Sequence, residues 1–243
     1  MANNKLISYL TIITPFKDIS IEKLYQTINY LYKQNLKIII RHLILYDISC
    51  PDLSEIKDFF INKNKYFIEF IRTDKKGIYN SINEGLKYLK DNDYYIVLGA
   101  GDLIFLENIN KLKIKKLLFC KYKLSNKQKQ FTECRNLYSG MPYCHNAIIF
   151  KNNKLLYSND YSISSDYDYF IKFIRMEDVN IFDRTNYNEK INIVFESEEG
   201  ISSKSFIKKN LQNLSILNKN FGIKYIFIYI IINIRKLIKI IYE

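Results

Sequence analysis

Two rhythms alternate along the first half of the chain. Continuous apolar runs at Ile7 to Thr14 (ISYLTIIT), Ile38 to Asp47 (IIIRHLILYD), Tyr66 to Arg72 (YFIEFIR) and Tyr94 to Leu98 (YYIVL) predict buried strands. Between them the apolar positions recur at helical spacing. Ile21, Leu24, Tyr25, Ile28, Leu31 and Tyr32 predict a helix over 21–34, and Ile78, Ile82, Leu86 and Leu89 predict another. A shorter helix is expected over 54–62, with Ser54 as its cap. This βαβαβαβ alternation predicts a mostly parallel sheet with helices on both faces. Right-handed crossovers bring the four strand ends, Thr14, Asp47, Arg72 and Asp102, to one edge.

The pattern loosens after Asp102. A basic connector is expected at 108–116, a strand at 117–124 and a polar turn at 127–130. A second strand is expected at 142–150 (PYCHNAIIF), with Pro142 at its start. A helix comes next over 166–175, capped by Ser164 or Ser165, then a late strand at 191–196. Helices are expected at 205–218 and 223–242, separated by Gly222. The second helix sets Lys224, Arg235, Lys236 and Lys239 among Ile, Phe, Leu and Tyr. It suits a membrane interface, or packing against the core or another subunit. Its apolar run falls short of the about 18 residues of a bilayer span. The organisation expected is a domain at 1–204, halved at 105/106, and a basic amphipathic extension at 205–243.

Composition changes the picture in three respects. The net charge of +12 points to an anionic partner. The lysines are dispersed and form no nucleic-acid-binding motif, so no nucleic acid is expected. The four cysteines, Cys50, Cys120, Cys134 and Cys144, have no metal or disulfide spacing and read as reduced thiols. No signal-peptide pattern marks the first residues, and a cytoplasmic protein is expected. The seven glycines are unevenly spread: Gly77, Gly85, Gly99 and Gly101 share one stretch ending in Asp102. A buried strand that stops on small residues and then a carboxylate puts Asp102 at a sheet edge where ligands bind. Asp102 therefore reads as facing a metal or sugar-nucleotide site, with a turn residue as the alternative.

The segments TIITPFKD, the strand-end Asp47, DKKGIYNSINEGL, YYIVLGAGDLI, MPYCHNAIIF, SSDYDYFIKF and EEGISS occur in this order over most of residues 7–205. Together they resemble the bacterial family 2 glycosyltransferases of GT-A fold, of the small type that assembles polysaccharide or lipopolysaccharide. The resemblance implies an inverting transfer of a hexose or N-acetylhexosamine from a UDP-sugar to a growing or lipid-linked glycan. It makes Asp102 the surviving residue of an acidic Mg²⁺- or Mn²⁺-binding motif that here reads Gly99-Ala100-Gly101-Asp102. Thr14, Pro15 and Asp47 fall at positions that hold base and ribose, although Asp47 also suits an Asx turn. Asp74, Gly77, Asn80, Ala100 and Gly101 fall along the donor, with Lys75 and Asn80 standing where the family has acids. Asp166 aligns with the catalytic base, Asp168 is its runner-up, and capping of the helix is the alternative for both. His145 falls on the acceptor side. Residues 223–243 would dock on the anionic inner face of the cell membrane. The reduced acidic motif leaves a second possibility, a non-catalytic scaffold that binds sugar nucleotides.

Overall fold

The computed structural model describes residues 5–7, 9–17, 21–48, 50, 53–60, 65–74, 76–106, 109, 112–125, 130–131, 134–196 and 205–242. Lys75 and the segment 198–203 (EEGISS) lie outside them.

The parallel half of the sheet tracks the apolar runs closely. Strands β2 (Tyr9–Phe16), β3 (Ile39–Asp47), β4 (Tyr66–Thr73) and β5 (Tyr94–Val97) line up as β4-β3-β2-β5, all parallel. Four consecutive residues of β5 and five of β2 are buried without alternation, as covering on both faces requires. Helix α1 (Ile21–Lys33) buries Leu24, Thr27, Ile28 and Leu31. Helix α2 spans Ser54–Phe59 and α3 spans Ile78–Leu86. A Cβ on Gly85 would sit 3.0 Å from Ile13 and 3.2 Å from Leu45, so glycine lets α3 lie close on the sheet.

The second half mixes directions. Across β5 lies β10 (Ile148–Lys151), antiparallel; then β8 (Leu117–Leu124), antiparallel to β10; then β11 (Tyr187–Phe195), parallel to β8; then β6 (Leu103–Phe105), antiparallel to β11. Strand β9 (Gln130–Phe131) pairs with β8. A separate ribbon joins β1 (Lys5–Ile7) to β7 (Leu112–Ile114).

Four expectations are corrected. Pro15 lies inside β2, opposite Leu45 on β3, rather than beyond the strand end. Ser54 is the first helical residue, and Leu53 holds the cap position before it. The connector at 108–116 contains strand β7. Of 142–150 only Ile148 onward is strand, because Cys144 leads into a 3₁₀ turn at His145–Ala147. The Tyr143 hydroxyl donates to the Cys120 carbonyl at 2.7 Å and holds that approach in place.

Helix α4 (Ser165–Met176) packs against α5 (Phe206–Phe221) and α6 (Lys224–Tyr242). Tyr161, Tyr167, Ile171, Ile216, Leu217 and Tyr229 form a second apolar cluster there. Gly222, at φ +89°, makes the break between α5 and α6. Gln212 accepts the Ile163 and Ser164 amides at 3.0 Å each, and so ties α5 to the start of α4. No helix among the described residues is long and apolar enough to cross a membrane.

Candidate active site

The carboxyl ends of β2 to β5 share one edge, as the alternation predicts. Pro15 and Phe16 lie beside Leu45 and Tyr46, and Asp47 lies beside Thr73. The Leu98 amide, one residue past β5, still bonds the Ile13 carbonyl. Beyond Leu98 the chain makes a tight turn. The Asp102 amide donates to the Gly99 carbonyl at 3.2 Å, and the Gly99 amide donates to Asp102 Oδ2 at 3.0 Å. Gly101 takes φ +95°, a conformation open to glycine at little cost. Thr27 of α1 pins the turn from below: its hydroxyl accepts the Gly101 amide at 2.8 Å and donates to the Asp102 carbonyl at 3.0 Å.

Asp102 is partly buried at this edge. Burial pushes its carboxyl up to about 7, against the opposing pull of the Glu196 and Gly99 amides and the Asn146 side chain. The neighbouring Glu196 carboxylate adds to the rise and is itself paired with Lys23 at 2.9 Å. Among the described residues no three His, Cys, Asp or Glu side chains form a metal-ligating cluster. Among the described residues the turn after β5 thus offers Asp102, since the neighbouring Glu196 is paired with Lys23. That suffices for Mg²⁺ or Mn²⁺ only where a ligand's phosphate oxygens and water complete the shell, a donor set such ions commonly accept.

Asp166 stands in the first turn of α4. Its Oδ1 accepts the Tyr167 amide at 2.8 Å and the Tyr79 hydroxyl at 3.4 Å. Burial raises its carboxyl, opposed by His145, the Tyr167 amide, Lys209 and Tyr79. Both carboxylates act on the Cys144 thiol through the interior. Burial, with smaller contributions from Asp102 and Asp166, pushes it up to about 12. A protonated thiol is a poor nucleophile. All four cysteines are free.

Several candidates face away from this centre. Asp168 is fully buried and paired with Lys172 at 2.5 Å, so it has no route to an incoming hydroxyl. His145 is buried in its turn and bonds the Tyr157 hydroxyl through Nε2 at 2.7 Å, so it backs the site rather than facing an acceptor. Thr14 is buried, with its hydroxyl 2.8 Å from His42 Nε2, and can offer a ligand only backbone. His42 completes that buried chain through Tyr66 and is structural, as expected. The Asn80 amide curls back to the Lys76 carbonyl at 2.7 Å. Asp47, 3.8 Å from Lys17, and the exposed Asp74 and Gly77 stand along the edge formed by the strand ends. Ala100 is partly buried within the turn.

Four residues of the site escaped the sequence reading: Tyr79, Asn146, Tyr157 and Glu196. Tyr79 and Asn83 lie one helical turn apart on α3. Asn83 grips the Tyr157 backbone in both directions, at 2.8 and 2.9 Å. The spacing within IYNSIN was the available signal, since positions four apart share a helix face.

No protein-family model matches the chain, and no curated protein matches it. Solved structures do. A mannosyltransferase from Pyrobaculum calidifontis, in complex with GDP-Man and Mn²⁺, superposes with TM-score 0.60 at 12% identity, over 90% of this chain and 67% of that one. S. aureus TarS 1-349 in complex with UDP-GlcNAc gives 0.59 at 14%, over 88% and 67%. GalNAc-T7 with UDP, GalNAc and Mn²⁺ gives 0.57 at 10%, over 88% and 48%. The chain spans 66% of the TarS 1-349 structure and 40% of the longer TarS chain. It has the fold of the GT-A glycosyltransferases.

Proposed function

We propose that the protein is an inverting glycosyltransferase that uses a nucleotide sugar, with a UDP-sugar as donor and a surface glycan or lipid-linked glycan as acceptor. One observation carries the reading. Two partly buried carboxylates, Asp102 after β5 and Asp166 at the start of α4, both act electrostatically on the same residue, Cys144. The division of labour suits transfer by direct displacement. Asp166, raised by burial, takes the proton of the acceptor hydroxyl. The hydroxyl oxygen forms its bond to the anomeric carbon as the sugar–phosphate bond breaks and the nucleoside diphosphate leaves. Asp102 would hold Mg²⁺ or Mn²⁺, whose charge offsets that of the leaving diphosphate. Asp47 and the end of β2 at Pro15 and Phe16 serve the nucleoside, and Gly77 lines its approach.

The fold neighbours support a nucleotide-sugar donor; two of those named above carry UDP or a UDP-sugar. A thermal-shift screen of UDP-sugars and GDP-mannose, with and without Mn²⁺, tests the reading, since a ligand of the native state raises the melting temperature. A Mn²⁺-dependent rise with UDP-sugars is expected, and no rise with any nucleotide sugar would contradict it.

A second reading, a scaffold that binds sugar nucleotides without turning them over, draws on the reduced acidic motif that ends at Asp102. UDP binding without UDP release from any donor would favour it.

The C-terminal helices support docking on an anionic membrane face. Phe227, Ile230, Ile231, Ile234 and Ile238 form one exposed stripe on α6, and Phe206, Ile207 and Leu211 are exposed on α5. Exposed Lys208, Lys219, Lys224 and Arg235 share these helices. Co-sedimentation with anionic but not neutral vesicles is the expected result.

A further inference from the structure

A chain of hydrogen bonds runs from the interior of the sheet to the strand-end turn. The Tyr169 and Tyr95 hydroxyls are 2.6 Å apart. The Tyr157 hydroxyl interacts with that of Tyr95 and lies 2.7 Å from His145 Nε2. His145 Nδ1 faces Asn146 Oδ1 at 3.5 Å, and Asn146 Nδ2 is turned toward Asp102: a Cβ on Gly99 would meet Asp102 Oδ2 at 2.6 Å and Asn146 Nδ2 at 4.0 Å. The tyrosines are locked by stacking: Tyr157 lies on Tyr169 with centroids 4.1 Å apart, and Tyr79 lies on Tyr157 at 5.8 Å.

The direction of this chain is set at its end. A carboxylate only accepts, so Asn146 must present its NH₂ to Asp102. Its carbonyl oxygen then faces His145 and must receive a proton from Nδ1. Neutral imidazole carries one proton, which leaves Nε2 as an acceptor for Tyr157. Tyr95 then donates to Tyr157, and Tyr169 donates to Tyr95. Any other arrangement places two donors or two acceptors face to face inside a buried network, which is costly.

We propose that this wire is a positioning device for Asp102: Tyr157 and His145 fix the Asn146 amide, and the amide aims the strand-end carboxylate at the donor. The consequence for donor binding rests on the glycosyltransferase reading; the wire itself does not. None of the three contacts the reacting atoms, so all are positioning residues. Outer partners of this kind typically change ligand affinity about 10- to 100-fold when removed.

The test begins with the histidine tautomer, read from long-range ¹⁵N couplings at mildly alkaline pH. The chain has only two histidines, and His42→Gln assigns the second. His145 is expected in the Nδ1–H form, the minor tautomer of free histidine. Tyr157→Phe keeps the ring stack and removes the donor, so a tautomer mixture is expected. Calorimetry with UDP and Mn²⁺ should show binding about tenfold weaker in that variant. Asn146→Ala, at a partly exposed position, should behave alike if Tyr157→Phe is poorly folded. An Nε2–H signature in the wild type, an unchanged tautomer in Tyr157→Phe, or unchanged affinity despite a changed tautomer would overturn the proposal. An Nδ1–H signature that loosens in Tyr157→Phe, in a protein that never binds UDP, would uphold the wire and sink the donor-site reading instead.

Discussion

Tyr79 and Asp166, 87 residues apart in sequence, meet at 3.4 Å, while the same Tyr79 hydroxyl donates to the Ile163 carbonyl at 2.6 Å. The pair joins α3, on the parallel half of the sheet, to the first turn of α4. A hydrogen bond to the charged form of an acid favours that form, so Tyr79 holds the Asp166 carboxyl lower than burial alone would. Tyr79→Phe is therefore expected to raise the Asp166 pKa. A base works when deprotonated, so the acidic limb of the pH profile of UDP release moves to higher pH. An unmoved limb would count against Asp166 as the base.

Asp102 gives a second pH dependence. Its folded pKa of about 7 lies above that of a free aspartate, so the native state holds a proton the unfolded chain gives up. Its contribution to stability is full below the unfolded pKa and is lost as pH rises through about 7. A cation needs the ionised form, so Mn²⁺ affinity in the presence of UDP should rise with pH toward about 7 and level off above it. Titration calorimetry across that range reads this directly. An affinity independent of pH would remove Asp102 from the metal shell.

Gly101→Ala tests the turn. The Cβ lands on the Glu196 carboxylate, which is exposed and can swing aside. The backbone at φ +95° cannot adjust as cheaply. Strain of this kind costs about 1–3 kcal/mol. A lower melting temperature is expected, with weaker UDP·Mn²⁺ binding because Asp102 shares the turn.

How far the site could be read in advance varied with the kind of signal. Strands β2 and β3 are apolar over most of their length, and α1 repeats its apolar residues every three to four positions. Local pattern was enough for these. Residues 142–150 look like the same kind of run, yet Tyr143 turns to Cys120 and His145 to Tyr157. A 3₁₀ turn held by partners far along the chain has no local period. Thr14 and His145 fail for the same reason: a polar residue beside an apolar run points outward or inward according to partners that only the folded chain supplies. The strand-end Asp47 and Asp102 were legible because a carboxylate after a buried strand must lie at the sheet edge. Asn146 and Tyr157 carried no such mark.

The C-terminal helices give a stability and a binding prediction that separate cleanly. Phe227 and Ile231 are 61% and 51% exposed, whereas Tyr229 is 4% exposed and bonded to Asn213 at 3.2 Å. Phe227→Glu with Ile231→Glu should abolish vesicle co-sedimentation and leave the melting temperature nearly unchanged. Tyr229→Ala should lower it, since emptying a buried aromatic site costs about 3–5 kcal/mol. Vesicle binding that survives the double substitution would place the membrane contact elsewhere.

The most direct test of the central claim is UDP release from UDP-sugars by the wild type and by Asp166→Asn, with UDP·Mn²⁺ binding measured on both. The wild type should release UDP in the presence of acceptor glycan. The variant should lose release by about 10²-fold or more while keeping its affinity for UDP, because a general base acts in the transition state and not in donor binding. Full release by Asp166→Asn would contradict the assignment of the base and, with it, the account of the two carboxylates as the two sides of a transfer site.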